Sequence, residues 1–175
     1  MSMQNQTSAR QGLGTSMGAG TTDAVSLLTN DHADVAELFE EYQALVEAEG
    51  GEDEKQALAE RICALLTAHA TIEEEIFYPA AREALDEQKL LDEAEVEHAT
   101  AKDLIEQIQS MDPTDELYDA KVKVLGEYVN HHVQEEEGEL FPRCQGAEMD
   151  LDEIGEELSA RREELLEELG LEDEE

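Results

Sequence analysis

The chain is poor in aromatic residues, cysteine, proline and basic residues, and each shortage excludes a class of protein. Its 175 residues include no Trp, two Cys and three Pro. Cys63 and Cys144 are too few for a disulfide framework, and neither belongs to a CxxC pair. Runs of β-branched residues are missing as well, while the helix formers Ala, Glu, Leu and Gln dominate. This balance predicts an all-α protein.

Positive charge is scarce. Eleven Lys and Arg stand against 47 Asp and Glu, which gives a formal net charge of −36. Such a surface repels phosphate groups and anionic lipids, so we expect no nucleic-acid partner and no membrane partner. The same balance is typical of a halophilic protein, whose self-repulsion is screened by salt, and of an ordinary, very soluble acidic protein. Both origins stay open at this point.

Long apolar segments are also missing. The sequence has no run of about 18 apolar residues, and its N-terminus lacks the apolar core of a signal peptide. We therefore expect a cytoplasmic protein that does not cross a membrane. A length of 175 residues suits one domain with a proper core, as a monomer or a homodimer.

Helical periodicity begins after a Gly-, Ser- and Thr-rich segment over residues 1–22, which we expect to be flexible. Apolar residues at spacings of three and four predict four long helices, over residues 23–48, 53–79, 88–110 and 114–142. Pro79 is predicted to end or kink the second of them, because proline cannot donate the next helical hydrogen bond.

A fifth, acidic helix is predicted over residues 150–169, where it either caps the other helices or mediates self-association. The predicted fold is therefore an up-and-down four-helix bundle with an additional C-terminal helix. The bundle is expected over residues 23–146, and the acidic helix and tail over residues 147–175.

What the sequence does contain is a repeated motif. The segments HATIEEEIFYP, from His69 to Pro79, and HHVQEEEGELFP, from His131 to Pro142, carry the same kinds of residue in the same order, offset by 63 positions. In both, a Glu follows a His by four positions, so the two side chains project from one helix face. Acidic residues are so abundant that one such pair would mean little, but a repeat that also ends in Pro is not readily produced by chance.

Each of the four bundle helices places one His on its apolar stripe, and these residues are His32, His69, His98 and His132. Spacing along the fourth helix favours His132 over His131 as the inward residue, because His132 continues the stripe of Val122, Leu125 and Val129. A single His in such a position is usually a hydrogen-bonded core residue. Four of them on four helices predict a metal site in the bundle core.

Two buried carboxylates strengthen that prediction. Glu73 and Glu136 would be costly inside the bundle unless they were paired or bound to a cation. Imidazole and carboxylate together, without thiolate, suit iron, manganese or zinc, and two carboxylates between helices suit a dinuclear centre.

The order His, His-x3-Glu, His, His-x3-Glu resembles the hemerythrin-like, or HHE cation-binding, family. The resemblance covers about residues 23–146 and rests on Asp31-His32, Glu97-His98 and the two repeated motifs. It implies an up-and-down four-helix bundle that holds two non-haem iron ions. Carried over to this chain, the resemblance implies one iron on His32 and His69, the other on His98 and His132, and bridges from Glu73 and Glu136.

This chain departs from the oxygen-carrying hemerythrins at one position. Those proteins place a second His one turn after the third-helix His, where this chain has Lys102. The site is thus one imidazole short, which argues against reversible oxygen transport. Candidates to complete the coordination are His131, Glu135, Tyr128 and water. The other acidic neighbours of the ligands, Glu74, Glu75 and Glu137, are expected on solvated faces.

The resemblance implies a protein that binds dioxygen, nitric oxide or peroxide at an open coordination position, for sensing, storage or detoxification. An enzyme with the same ligands is an alternative, either an oxidoreductase that decomposes peroxide or reduces nitric oxide, or an iron donor for iron-sulfur repair. A further alternative needs no metal: an acidic helical interaction module whose histidines are core residues.

Overall fold

The computed structural model describes residues 22–171, which form five helical rods without a strand. The first rod is α1 (Ala24–Glu47) and the third is α4 (Lys89–Ser110). The second and fourth rods are each broken by a π-helical turn. The second consists of α2 (Glu52–Ile72), a π turn (Glu73–Phe77) and α3 (Tyr78–Ala84). The fourth consists of α5 (Tyr118–Glu135), a π turn (Glu136–Leu140) and α6 (Phe141–Gln145), and the last rod is α7 (Leu151–Glu168).

The first four rods form the up-and-down four-helix bundle, and α7 packs against α1, α2 and the first π turn. The predicted fold class is thereby confirmed, including the additional C-terminal helix. Of the two roles predicted for that helix, the packing favours capping. The flexible segment predicted over residues 1–22 lies outside the described residues except for Thr22, and so do residues 172–175 of the predicted tail.

Local polar contacts explain where two helices begin. Asp23 caps α1, because its carboxylate accepts a hydrogen bond of 2.8 Å from the Ser26 amide. The fourth rod starts at Tyr118, four residues later than predicted. Asp112 and Asp115 hold the chain in turns before it, since their carboxylates accept hydrogen bonds from the amides of Thr114 and Leu117.

The two π turns are 63 residues apart, as the motifs are, and each begins at the Glu of a His-x3-Glu pair. Within each turn an amide bonds to the carbonyl five residues back, from Tyr78 to Glu73 and from Phe141 to Glu136. Pro79 and Pro142 follow immediately and have no N–H to donate. The predicted break at Pro79 is therefore a widened turn inside a continuing rod.

Apolar side chains form two layers, one toward each end of the bundle. The layer beside α7 contains Leu28, Phe77, Leu91, Phe141 and Leu158, and the opposite layer contains Tyr42, Ile62, Cys63, Val122 and Leu125. The buried histidines and glutamates belong to neither layer. Within residues 22–171, no helix combines the length and apolar character that crossing a lipid bilayer requires.

Candidate metal centre

Six buried side chains from the four bundle rods meet in two overlapping groups. One group is His32, His69, Glu73 and Glu136, and the other is Glu73, His98, His132 and Glu136. Within each group the donor atoms all lie within 4.8 Å of one another. Because Glu73 and Glu136 belong to both groups, the two groups form one continuous centre. His132 is buried, as its apolar stripe predicts, while the His131 side chain is 65% exposed.

The spacings between donor atoms fit ligands of a shared ion. The Nε2 atoms of His32 and His69 are 3.1 Å apart, and those of His98 and His132 are 3.2 Å apart. Glu73 places Oε1 2.8 Å from His69 Nε2 and Oε2 3.0 Å from His98 Nε2. Two ligand atoms bound to one ion at about 2.1 Å lie roughly 3.0–3.4 Å apart.

Two carboxylate oxygens at the centre are buried without a hydrogen-bond partner. Glu73 Oε1 and Glu136 Oε1 lie 2.8 and 2.7 Å from a histidine Nε2, yet neither contact has hydrogen-bond geometry. Leaving a buried carboxylate oxygen unpaired costs free energy. A cation between the oxygens and the ring nitrogens removes that cost, so the donor set fits a pair of metal ions.

Protons partly replace a cation when the centre holds no metal. Burial lowers the pKa of His132, but the Glu136 carboxylate, 2.7 Å from its Nε2, outweighs burial and raises that pKa to about 9. Burial likewise raises the pKa of Glu73, but His69 and His98 outweigh it and hold that pKa well below its ordinary value. Metal binding must therefore displace protons from this site.

A carboxylate faces the outer nitrogen, Nδ1, of every one of the four rings. Asp31 lies 3.2 Å from His69 and Glu97 lies 3.3 Å from His132. Glu137 and Glu74, the residues that follow Glu136 and Glu73, lie at the edge of the site, 3.4 Å from His32 and 3.9 Å from His98. Asp31 and Glu137 are close enough to hydrogen-bond their rings, which favours the ring form that keeps its proton on Nδ1 and leaves Nε2 free for a metal. The Nδ1 atoms of His98 and His132 have no hydrogen-bond partner among the described residues. Glu74 and Glu137 are partly exposed, as expected, and they also face rings on neighbouring helices, which the pattern of one helix does not show.

Tyr78 reaches the second group, although the sequence analysis did not single it out. Its hydroxyl donates a hydrogen bond of 2.9 Å to Glu73 Oε2 and lies 3.1 Å from His98 Nε2 and 3.4 Å from His132 Nε2. Residues five apart are separated by roughly 140° on an α-helix, whereas a π turn brings them to one face. Pro79, which favours an irregular turn before it, was the signal that could have revealed this. Burial and the charges of Glu73 and Glu136 raise the Tyr78 pKa well above its ordinary value, so the phenol keeps its proton without a cation.

Phe141 occupies the repeat position equivalent to Tyr78 and breaks the symmetry of the centre. Its ring stacks on the His32 ring, with centroids 5.8 Å apart and planes inclined by 4°. The His98 and His132 group therefore has five candidate donors from the protein, and the His32 and His69 group has four.

The other predicted candidates lie outside the buried centre. His131 Nε2 is 3.2 Å from Glu135, and these two residues form a separate surface group with Glu97. Among the described residues, Tyr128 makes no hydrogen bond to any of the six central side chains. Lys102, at the position of the missing imidazole, donates a hydrogen bond of 2.7 Å to Glu74.

A small cavity of about 40 Å³ adjoins all four imidazoles. Its remaining walls are largely apolar and include Val35, Leu66, Ile105 and Val129. A groove of about 530 Å³ between α1 and α5 shares His32, Val35, Val129 and Val133 with the cavity wall and opens to solvent. The cavity has the size and polarity for a diatomic molecule.

Known proteins share this architecture. Residues 23–144 match the hemerythrin HHE cation binding domain. The crystal structure of a hemerythrin HHE cation binding domain-containing protein from Mycobacterium kansasii has the same fold, with a TM-score of 0.69 over 84% of this chain and 89% of that one, at 23% identity. A DNA nickase from Nostoc sp. strain PCC 7120 is 39% identical over 79 residues, which are 43% of this chain and only 21% of that protein. The family match spans well over half of this chain, so the chain belongs to the hemerythrin HHE cation-binding family.

Proposed function

We propose that this chain is a non-haem di-iron protein that binds dioxygen, nitric oxide or hydrogen peroxide, in sensing, storage or detoxification. The observation that carries the proposal is the pair of buried four-donor groups that share Glu73 and Glu136. A metal-free interaction module would gain nothing from unpaired carboxylate oxygens beside ring nitrogens in its core.

The proposed ligand set extends the one implied by the sequence. His32 and His69 would hold one ion, His98, His132 and Tyr78 the other, and Glu73 and Glu136 would bridge the two. Tyr78 would replace the imidazole that is missing at Lys102. Iron at these positions would supply reversible electron exchange with the bound ligand. The carboxylates at Nδ1 would orient the rings and stabilise their charge when the ions are oxidised.

The two ions would not be equivalent toward a ligand. Phe141 contributes no donor where Tyr78 contributes a hydroxyl, so the His32 and His69 position has fewer protein donors. We propose that the small ligand binds there, with the adjoining apolar cavity excluding bulky and strongly hydrated molecules.

The acidic surface argues against carrying DNA nicking over from the Nostoc relative. A net charge of −36 repels phosphate, and the shared segment is about a fifth of that protein. We propose instead a cytoplasmic protein without a nucleic-acid partner.

Iron loading followed by elemental analysis and an optical spectrum tests the proposal. We expect about two irons per chain and an absorption band in the near ultraviolet and visible that changes with dioxygen or nitric oxide. A chain that keeps no stoichiometric metal, or only zinc after growth with excess iron, contradicts the proposal. Steady-state turnover of peroxide or nitric oxide above that of free iron would identify the enzymatic alternative.

A further inference from the structure

The C-terminal helix α7 reaches the metal centre through one arginine. Arg162 Nε donates a hydrogen bond of 2.9 Å to Asp31 Oδ1, while the other oxygen of Asp31 lies 3.2 Å from His69 Nδ1. A carboxylate accepts and cannot donate, so His69 supplies the proton of that contact. One buried carboxylate thus joins a guanidinium of α7 to a central imidazole of α2.

Close packing fixes the position of α7. A Cβ added at Gly155 would collide with the Thr22 carbonyl oxygen and lie 2.9 Å from the Ala24 nitrogen, so the helix approaches the start of α1 as only glycine permits. Leu158, Leu165 and Leu166 are buried. Arg162 is therefore presented to Asp31 by a rigid element.

Among residues 22–171, the corresponding carboxylate of the other half, Glu97, pairs with no arginine or lysine. Glu97 stands where Asp31 stands, one residue before the helix histidine, and faces His132 Nδ1 at 3.3 Å. Its neighbours are Glu135 and His131, whose donor atoms lie within 4.8 Å of it. Asp31 therefore lies beside a cation and Glu97 beside a carboxylate, although the two residues face equivalent rings.

We infer that Arg162 is a positioning residue of the metal centre, which holds His69 through Asp31 and thereby strengthens the ion position formed by His32 and His69. The inference rests on the proposed function and extends the centre to α7, beyond residues 23–144 that match the family.

Charge explains why an arginine is needed there. A hydrogen bond between ions is roughly twice as strong as a neutral one, and Asp31 and Arg162 are both largely withdrawn from water. Partners that orient a metal-binding histidine typically contribute about 10–100-fold in metal affinity. Arg162 contacts Asp31 and not the histidine itself. We therefore expect its removal to lower the metal affinity by about the smaller of these factors.

The test compares Arg162→Gln with Arg161→Gln in the full chain, using Co²⁺ as the metal. Arg161 is the adjacent arginine of α7 and pairs at 2.9 Å with the exposed Glu75, so its substitution controls for a general weakening of α7. We expect R162Q to weaken one of the two Co²⁺ ions about tenfold and R161Q to leave both unchanged. Unchanged binding in R162Q, or equal losses in both variants, overturns the inference. Should R162Q fail to fold, Arg162→Met, which keeps the apolar stem, replaces it in the same comparison.

A double-mutant cycle shows whether Arg162 acts through Asp31. In an Asp31→Asn background, R162Q is expected to cause no further loss of Co²⁺ affinity, and in the native background Arg162→Lys is expected to restore most of it. Additive losses would mean that Arg162 acts by another route and would contradict the inference.

A readout on metal-free protein separates this inference from the proposed function. The Nδ1 proton of His69 is expected to exchange slowly in ¹⁵N-histidine NMR spectra, and to exchange faster in R162Q but not in R161Q. A native chain that binds no Co²⁺ or iron would defeat the proposed function, whereas an unchanged His69 signal in R162Q would defeat the positioning role alone.

Discussion

At the residue scale, one hydroxyl group gives the two halves of the centre different numbers of candidate donors. Tyr78 and Phe141 hold equivalent positions after the two π turns, yet only Tyr78 brings a hydroxyl to the ring nitrogens. Without a cation, burial and the neighbouring carboxylates raise the Tyr78 pKa and keep that hydroxyl protonated. A cation bound there would reverse this balance, because it would favour the ionised form of the phenol.

We expect Tyr78→Phe to abolish a visible charge-transfer band of the iron(III) protein, because phenylalanine has no oxygen to bind. The affinity for one of two ions should fall by at least about tenfold. Tyr128→Phe is the matched control, since Tyr128 lies outside the centre and should leave the spectrum unchanged. An identical visible spectrum in Y78F would rule out phenolate ligation.

The raised pKa of His132 predicts that metal and protons compete. Its value of about 9 in the metal-free fold means that Nε2 gives up a proton when a metal binds. Co²⁺ affinity should therefore rise roughly tenfold per pH unit for each proton displaced, up to about pH 9. Calorimetry in buffers of different ionisation enthalpy measures the protons released. Binding without proton release would contradict this prediction.

The raised pKa of His132 also predicts how the stability of the metal-free protein changes with pH. A pKa raised from 6.5 to about 9 stabilises the fold fully below 6.5, and the contribution is lost as the pH rises through 9. Between those values the melting temperature of the metal-free protein should fall more than that of the metal-loaded protein. Parallel melting curves across that window would contradict the assignment.

At the scale of elements, the π turns mark the limit of what the sequence could predict. The spacing of apolar residues predicted the four rods, and the same spacing identified His132 rather than His131 as the inward residue. Both predictions depend on regular helical geometry. The sequence did not predict Tyr78 as a donor, because regular α-helical geometry places it on a different face from Glu73. Arg162 was missed for another reason: the contact between α7 and α1 is tertiary, and the pattern of one helix does not show it.

A second element, α5, lies between the cavity and the solvent-open groove, and Val129 lines both. We propose that small ligands enter there. We expect Val129→Phe to fill the cavity and to slow nitric oxide or azide binding to the iron protein while its iron content is unchanged. Val124→Phe is the matched control, because Val124 is exposed on the same helix. Xenon binding to the metal-free protein should be lost in V129F and kept in V124F.

Equal ligand-binding rates in the two variants would show that small molecules reach the centre by another path. Loss of iron from V129F would instead mean that the larger ring displaces a metal ligand. The slower binding could then not be attributed to a smaller cavity.

The junction between α7 and α1 allows a test of packing alone. Gly155→Ala places a methyl group against the backbone of Thr22 and Ala24, so α7 has to shift. Overpacking of this kind costs about 2 kcal/mol, which should lower the melting temperature measurably. Gly146→Ala is the control, because the nearest atom to an added Cβ there is 3.6 Å away. Equal melting temperatures for G155A and native protein would contradict the close approach.

At the scale of the whole molecule, charge opposes folding. The net charge is −36, and the negative side chains repel one another most strongly in the compact state. The screening length falls from about 10 Å at 0.1 M salt to about 3 Å at 1 M. We therefore expect the melting temperature to rise steadily with KCl over that range. A flat or falling curve would count against adaptation to high salt and favour the ordinary acidic protein.

The contact between Asp31 and Arg162 also implies an order in which the parts of the centre are completed during synthesis. The two residues are 131 positions apart, and every proposed metal ligand precedes Arg162 along the chain. Since a chain is synthesised from its N-terminus, all the ligands exist before the guanidinium that neutralises Asp31. A nascent chain thus carries an incomplete centre, and tight metal loading is expected to follow synthesis, when α7 has docked.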